Sequence, residues 1–200
     1  MSSFVVDLFV EDRAHEEFVG ALIRRIARDQ NREIELRVRA ARGGHARVLA
    51  ELELYQRAVL AGALNMRMPD LLVVATDTNC NGVNATKAAI RKELRREFVD
   101  RAIIAAPDPH IERWFLSDGH SFHDVVGVEP AREQRKCERD RYKRMLSNAV
   151  RKAGHPAILG GIEFATELAD VMDLFRAGRA EPSLKQFVRD AVAAIKLGPS

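Results

Sequence analysis

Three groups of acidic side chains recur along the chain where carboxylates could do chemistry together: Glu11-Asp12, Asp77 with Asn79 close behind it, and Asp108 with Glu112. Carboxylates gathered at one point repel each other unless a cation or a shared proton compensates. Oxygen-rich groups of this kind suit Mg²⁺ or Mn²⁺. With a phosphate bound, they support metal-assisted attack of water on phosphorus. Each group also has a plainer use. Asp12 or Asp108 can cap a following helix, and Asp77 can close an Asx-turn. Three such groups at corresponding places in the fold are what point to a metal site.

Corresponding places require strands. Residues 4–10 (FVVDLFV) and 71–76 (LLVVAT) read as buried strands, and residues 34–38 alternate as a half-buried one. A fourth short strand is predicted over 101–106. Between and after them, apolar spacing predicts helices over 15–28, 45–64, 84–98 and 110–116. Strand and helix thus alternate about four times, which predicts an α/β fold with a mostly parallel four-stranded sheet flanked by helices. Right-handed crossovers put all the strand carboxyl ends on one edge, where ligands bind in such sheets. The three acidic groups follow the first, third and fourth strands. After Asp118 the character changes. A Gly/His/Ser loop leads to a polar, basic helix over about 131–152, then to a helix near 162–175 and a last helix over 183–196 that begins at Pro182-Ser183. The expected division is an α/β domain over 1–125 and a helical carboxyl-terminal extension over 126–200 packed on it.

The segments VVDLFVEDRAHEEF and LLVVATDTNCNG pair a strand ending in Glu with a strand ending in an Asp-x-Asp-like step. That arrangement resembles the Toprim fold. APDPHIERWFLSD is similar to the Pro-x-x-Glu-x-Trp segment of Toprim-like proteins related to the overcoming-lysogenization-defect (OLD) nucleases, and SLKQF near Ser183 resembles the tail of small members of that group. The resemblance covers the first two thirds of the chain plus this tail. It implies a Toprim/Rossmann-like sheet and a Mg²⁺- or Mn²⁺-dependent nuclease centre. Carried over, Glu11 is general base or ligand, Asp77 is a ligand, and Glu112 completes the set, with Asp118 as an extra. It also implies a role in defence against phage and an ATPase partner on a separate chain. The family step usually carries a second aspartate where this chain has Asn79. An amide oxygen can ligate a divalent ion but brings no charge, which leaves a one-metal enzyme or a silent binding module as alternatives.

The net charge of +3 says little, but its distribution says more. From Arg132 to Lys152 nine basic residues stand against three acidic ones. Of these, Arg132, Arg135, Lys136, Arg139, Lys143 and Arg144 are the expected contacts to nucleic acid, since such patches neutralise phosphates. A solvated helix face is the plainer reading. A second basic group comprises Arg37, Arg39, Arg42 and Arg47.

Other residues carry plainer expectations. Trp114 reads as core packing against the sheet edge, Arg113 as a surface salt bridge, and His110, His120 and His123 as surface or loop histidines. Cys80 and Cys137 have no CxxC or Cys/His spacing and read as ordinary thiols. No GxxxxGK[ST] occurs, so the chain is not expected to hydrolyse ATP, and no Gly-x-Ser-x-Gly elbow is present. The amino terminus lacks a basic start, Asp7 interrupts its apolar run, and no stretch suits a membrane span, so a cytoplasmic location is expected. The sequence leaves open DNA against RNA, and monomer against homo-oligomer. A non-catalytic subunit that binds nucleic acid or an ATPase, and a small phosphatase-like enzyme, compete with the nuclease reading.

Overall fold

The computed structural model describes residues 3–41, 44–63, 66–131, 137–138 and 140–198. Its four strands, β1 (Phe4–Val10), β2 (Ile34–Ala40), β3 (Leu71–Ala75) and β4 (Ala102–Ala105), form one sheet in the order β2-β1-β3-β4. Every pairing is parallel. The expected α/β class is borne out, and the mostly parallel sheet proves to be wholly parallel. β1 and β3 are buried along their whole length, and they occupy the centre because their sequences are apolar on both faces. β2 alternates with polar residues and lies at an edge, half-buried.

Helices cover both faces. Val6, Leu8, Val10 and Val73 point to one side, where α1 (Arg13–Asp29) lays down Phe18 and Leu22. Phe9, Leu72, Val74 and Ile104 point to the other, against Val48 and Leu52 of α2 (His45–Leu60), Ile90 of α3 (Val83–Glu93) and Phe98 of α4 (Arg96–Val99). The chain leaves β1 toward β2 and leaves β3 toward β4, so its direction reverses between the two central strands. In open α/β sheets a crevice opens at that reversal, outside the carboxyl ends of the strands.

The later helices are α5 (Ile111–Phe115), α6 (Gly119–Val126), α7 (Arg141–Lys152), α8 (Ala165–Val171), α9 (Leu174–Ala180) and α10 (Pro182–Leu197). They do not build a core of their own. Leu146 of α7, Leu168 of α8 and Phe187 and Ile195 of α10 join the same apolar cluster as Phe18 and Leu22.

Four expectations about helices need correction. Residues 84–98 do not form one helix. The Gln56 side chain of α2 receives the Arg95 N–H at 2.7 Å and donates to the Glu93 carbonyl at 3.0 Å. It thereby satisfies the backbone groups exposed at the break between α3 and α4. The loop expected after Asp118 is α6, held down by buried Phe122 and Val126. The basic helix begins at Arg141, since neither Ala131 nor Cys137-Glu138 is helical. The helix expected over 162–175 divides into a short 3₁₀ turn (Ile162–Phe164), α8 and α9, because Asp173 caps α9 by accepting from the Phe175 and Arg176 amides.

Candidate functional site

The register sets Val10 beside Ala75 and Ala75 beside Ala105. The ladder runs on past the strands: Glu11 N–H donates to the Ala75 carbonyl at 3.1 Å and Thr76 N–H to the Ala105 carbonyl at 3.1 Å. Glu11 and Asp77 therefore emerge side by side in the crevice between the central strands. Glu11 Oε2 accepts from the Thr76 hydroxyl at 2.5 Å and from the Asp77 N–H at 3.1 Å. Its Oε1 faces Gly44 at the start of α2, where an added Cβ would lie 3.9 Å away.

Asp77 is buried and surrounded by donors. Oδ1 accepts from the Ile111 N–H at 2.8 Å and lies 3.2 Å from His15 Nε2. Oδ2 bonds His110 Nδ1 at 2.9 Å. Fully buried His15 reaches the other way to Asp12, with Nδ1 2.7 Å from Asp12 Oδ1. Asp12 also caps α1 by accepting from the His15 N–H at 3.1 Å. The result is a charge relay from Asp12 through His15 and Asp77 to His110. Burial works against the His15 imidazolium, but Asp77 and Asp12 outweigh it and push its pKa up to about 10. Burial likewise works against the Asp12 carboxylate, and His15 brings it down to about 2. Asp77 is held below the usual carboxylate range against its burial, by His15 first and then by His110.

Glu112, in the first turn of α5, is 3% exposed, and its Oε2 meets no hydrogen-bond partner among the described residues. Burial raises its pKa, and the neighbouring charge of Asp77 raises it further. Lys143 of α7 faces the same group. Partial burial works against its charge, but Glu112, Asp12 and Asp77 outweigh that and raise it.

The carboxyl oxygens of Glu11, Asp77 and Glu112 are hard donors of the kind Mg²⁺ and Mn²⁺ take, and the orphaned Glu112 oxygen is the buried polar atom such an ion would satisfy. Among the described residues, no three His, Cys, Asp or Glu side chains already stand around one point as ion ligands do. As folded, the negative charge is balanced by His15, His110 and Lys143.

Other expected site residues lie apart from this group. Asn79 is exposed in a turn with φ of 46°, a left-handed conformation that asparagine tolerates. Asp108 accepts from the Thr78 hydroxyl at 3.0 Å. Asp118 meets Ser121, the Asp173 amide and Arg176, and so binds α6 to α9. Trp114 packs in the core as expected, stacked on Phe187 with its indole N–H 2.9 Å from Ser183 Oγ. Arg113 makes its salt bridge, to Glu181 at 2.5 Å, but buried rather than at the surface. His120 and His123 are exposed beside Asp124. Of the expected nucleic-acid contacts, Arg132, Arg135, Lys136 and Arg139 lie outside the described residues. Lys143 faces the acidic group, and Arg144 pairs with Glu138 at 2.7 Å.

Sequence reasoning missed Thr76 and His15, and it read His110 as a loop histidine. The spacing Asp12-x-x-His15 at a helix start was the available signal for His15, since it sets both side chains in one turn. Comparison with family models, with curated proteins and with solved structures finds no match.

Proposed function

We propose that this chain is a Mg²⁺- or Mn²⁺-dependent phosphodiesterase acting on DNA or RNA, in the manner its resemblance to OLD-related Toprim proteins implies. One observation carries the reading. Glu11, Asp77 and Glu112, distant in sequence, meet at the chain reversal between the central strands, and Glu112 leaves a buried carboxyl oxygen unpartnered. Those three side chains would hold the cation, which supplies Lewis acidity toward a phosphoryl oxygen and offsets its charge.

The chain's own groups divide the remaining work. Thr76 and the Asp77 amide fix Glu11 by one oxygen, leaving Oε1 to take a proton from the attacking water. Glu112, kept protonated to higher pH by burial, is suited to donate to the leaving oxygen. Lys143 supplies positive charge beside them for the phosphate. The exposed basic residues Arg151 and Lys152 of α7 extend that charge along its helix. A role in defence against foreign DNA and a separate ATPase partner belong to the same proposal.

A second reading has its own support. Both Asp77 oxygens are already engaged by His15, His110 and the Ile111 amide, which suits a silent subunit that only binds nucleic acid or a partner protein. Incubating the chain with Mn²⁺ or Mg²⁺ and labelled DNA and RNA, beside Glu11→Gln and Asp77→Asn, separates the two. The proposal expects cleavage by the parent and a loss of at least about 100-fold in each variant, the scale of a lost general base or catalytic charge. Salt-sensitive binding with no cleavage, unchanged in both variants, would establish the silent subunit instead.

A further inference from the structure

The two cysteines lie outside the acidic group, and the proposed chemistry does not use them. Cys80 sits in the turn between β3 and α3, close after Asp77, with its backbone in the left-handed region at φ of 67°. Cys137 comes from a distant stretch of sequence, just before α7. Both are exposed, and the two thiols hydrogen-bond to each other. Exposure lets a small oxidant reach either sulfur, and the contact sets a resolving thiol at hand for the other, which is the arrangement of a redox-active pair.

We propose that Cys80 and Cys137 form a reversible disulfide site, closed by hydroperoxides and reopened by thiols. One sulfur attacks the peroxide oxygen. The O–O bond breaks, the sulfur becomes a sulfenic acid, and one water leaves. The second sulfur attacks the sulfenic sulfur, forming the S–S bond and expelling a second water. Two thiols and one hydrogen peroxide thus give one disulfide and two waters, and two electrons from a dithiol reductant restore the thiols.

The roles of the two sulfurs differ. Burial pushes the Cys80 thiol up, and its hydrogen bond to Cys137, the charge of Cys137 and that of Asp108 bring it to about 11. Cys80 keeps its proton at neutral pH, so Cys137 attacks the oxidant and Cys80 resolves. The closed bond would tie the loop that carries Asp77 to the start of α7, whose Lys143 faces the acidic group. The chemistry does not depend on whether that group cleaves phosphodiesters.

The test uses the full chain, reduced and then exposed to hydrogen peroxide, quenched with N-ethylmaleimide and weighed intact. The expected product has lost the mass of two hydrogens, takes up no maleimide, yields a linked Cys80–Cys137 peptide, and regains both alkylation sites after dithiothreitol. Cys80→Ser should instead stop at the sulfenic acid on Cys137. Since both positions are exposed, the two single serine variants should fold. The proposal is overturned if both sulfurs remain alkylated after peroxide, if each oxidises separately to the sulfinic acid, or if the linkage joins two chains on a non-reducing gel.

Discussion

At Asp77 the fold brings a carboxylate out of water beside Glu11 and Glu112, and two histidines balance it. His15 is fully buried, so its proton cannot be exchanged for hydration, and Asp12 and Asp77 hold it from both sides. Removing one member of such a buried group leaves uncompensated charge. His15→Leu should therefore lower stability by about 3–5 kcal/mol in urea unfolding, and pairing it with Asp77→Asn should restore part of the loss. A loss below about 1 kcal/mol, the scale of an exposed ion pair, would refute the buried relay. Glu11 and Asp77 were legible in the sequence because each follows an apolar run that can only be a buried strand. His15 and His110 were not. A histidine in a first helical turn or a loop looks the same in sequence whether it meets solvent or a carboxylate from another strand.

At the scale of elements, the strands could be read because β-branched runs leave few alternatives, whereas helix ends were decided by side chains from elsewhere. Gln56 ends α3 from across the face, and Asp118 does comparable work between α6 and α9. Its carboxylate accepts from the Asp173 amide, where α8 gives way to α9, and from Arg176 within α9. The carboxylate is partly shielded, which works against its charge, but Arg176, Ser121 and the Asp173 amide bring its pKa down from 3.8 to about 2. A folded value below the unfolded one adds stability that is present above about 3.8 and is lost as pH falls toward 2. Asp118→Asn should accordingly melt lower than the parent at pH 7, and the gap should close between pH 4 and about 2. A gap that stayed constant through that range would show that packing, not charge, holds α9. Asp118 had been carried as an extra metal residue because it follows Trp114 on what read as one helix. The chain turns between α5 and α6, and that turn gives Asp118 different partners.

At the scale of the whole molecule, the carboxyl-terminal helices share a core with the sheet, since Phe187 and Leu168 pack in the cluster of Phe18 and Leu22. No helix among the described residues is long and apolar enough to cross a membrane. A shared core predicts one cooperative unfolding transition rather than separate melting of two units. An ion bound only by the folded strand edge then raises a single Tm for the entire chain. At a free concentration 100 times its Kd it adds about 2.7 kcal/mol, or about 5–10 °C for a chain of this size. Mn²⁺ should produce that shift in the parent and in Asn79→Ala, because Asn79 lies exposed in the turn away from the Asp77 carboxylate's partners. The shift should vanish in Asp77→Asn and Glu112→Gln, each of which removes a charge that the ion would meet. Scanning fluorimetry of the four proteins across a Mn²⁺ series reads this directly. If the parent does not shift, the histidine and lysine charges already satisfy the carboxylates. The acidic edge would then be a structural device, with α7 left as the surface that meets nucleic acid.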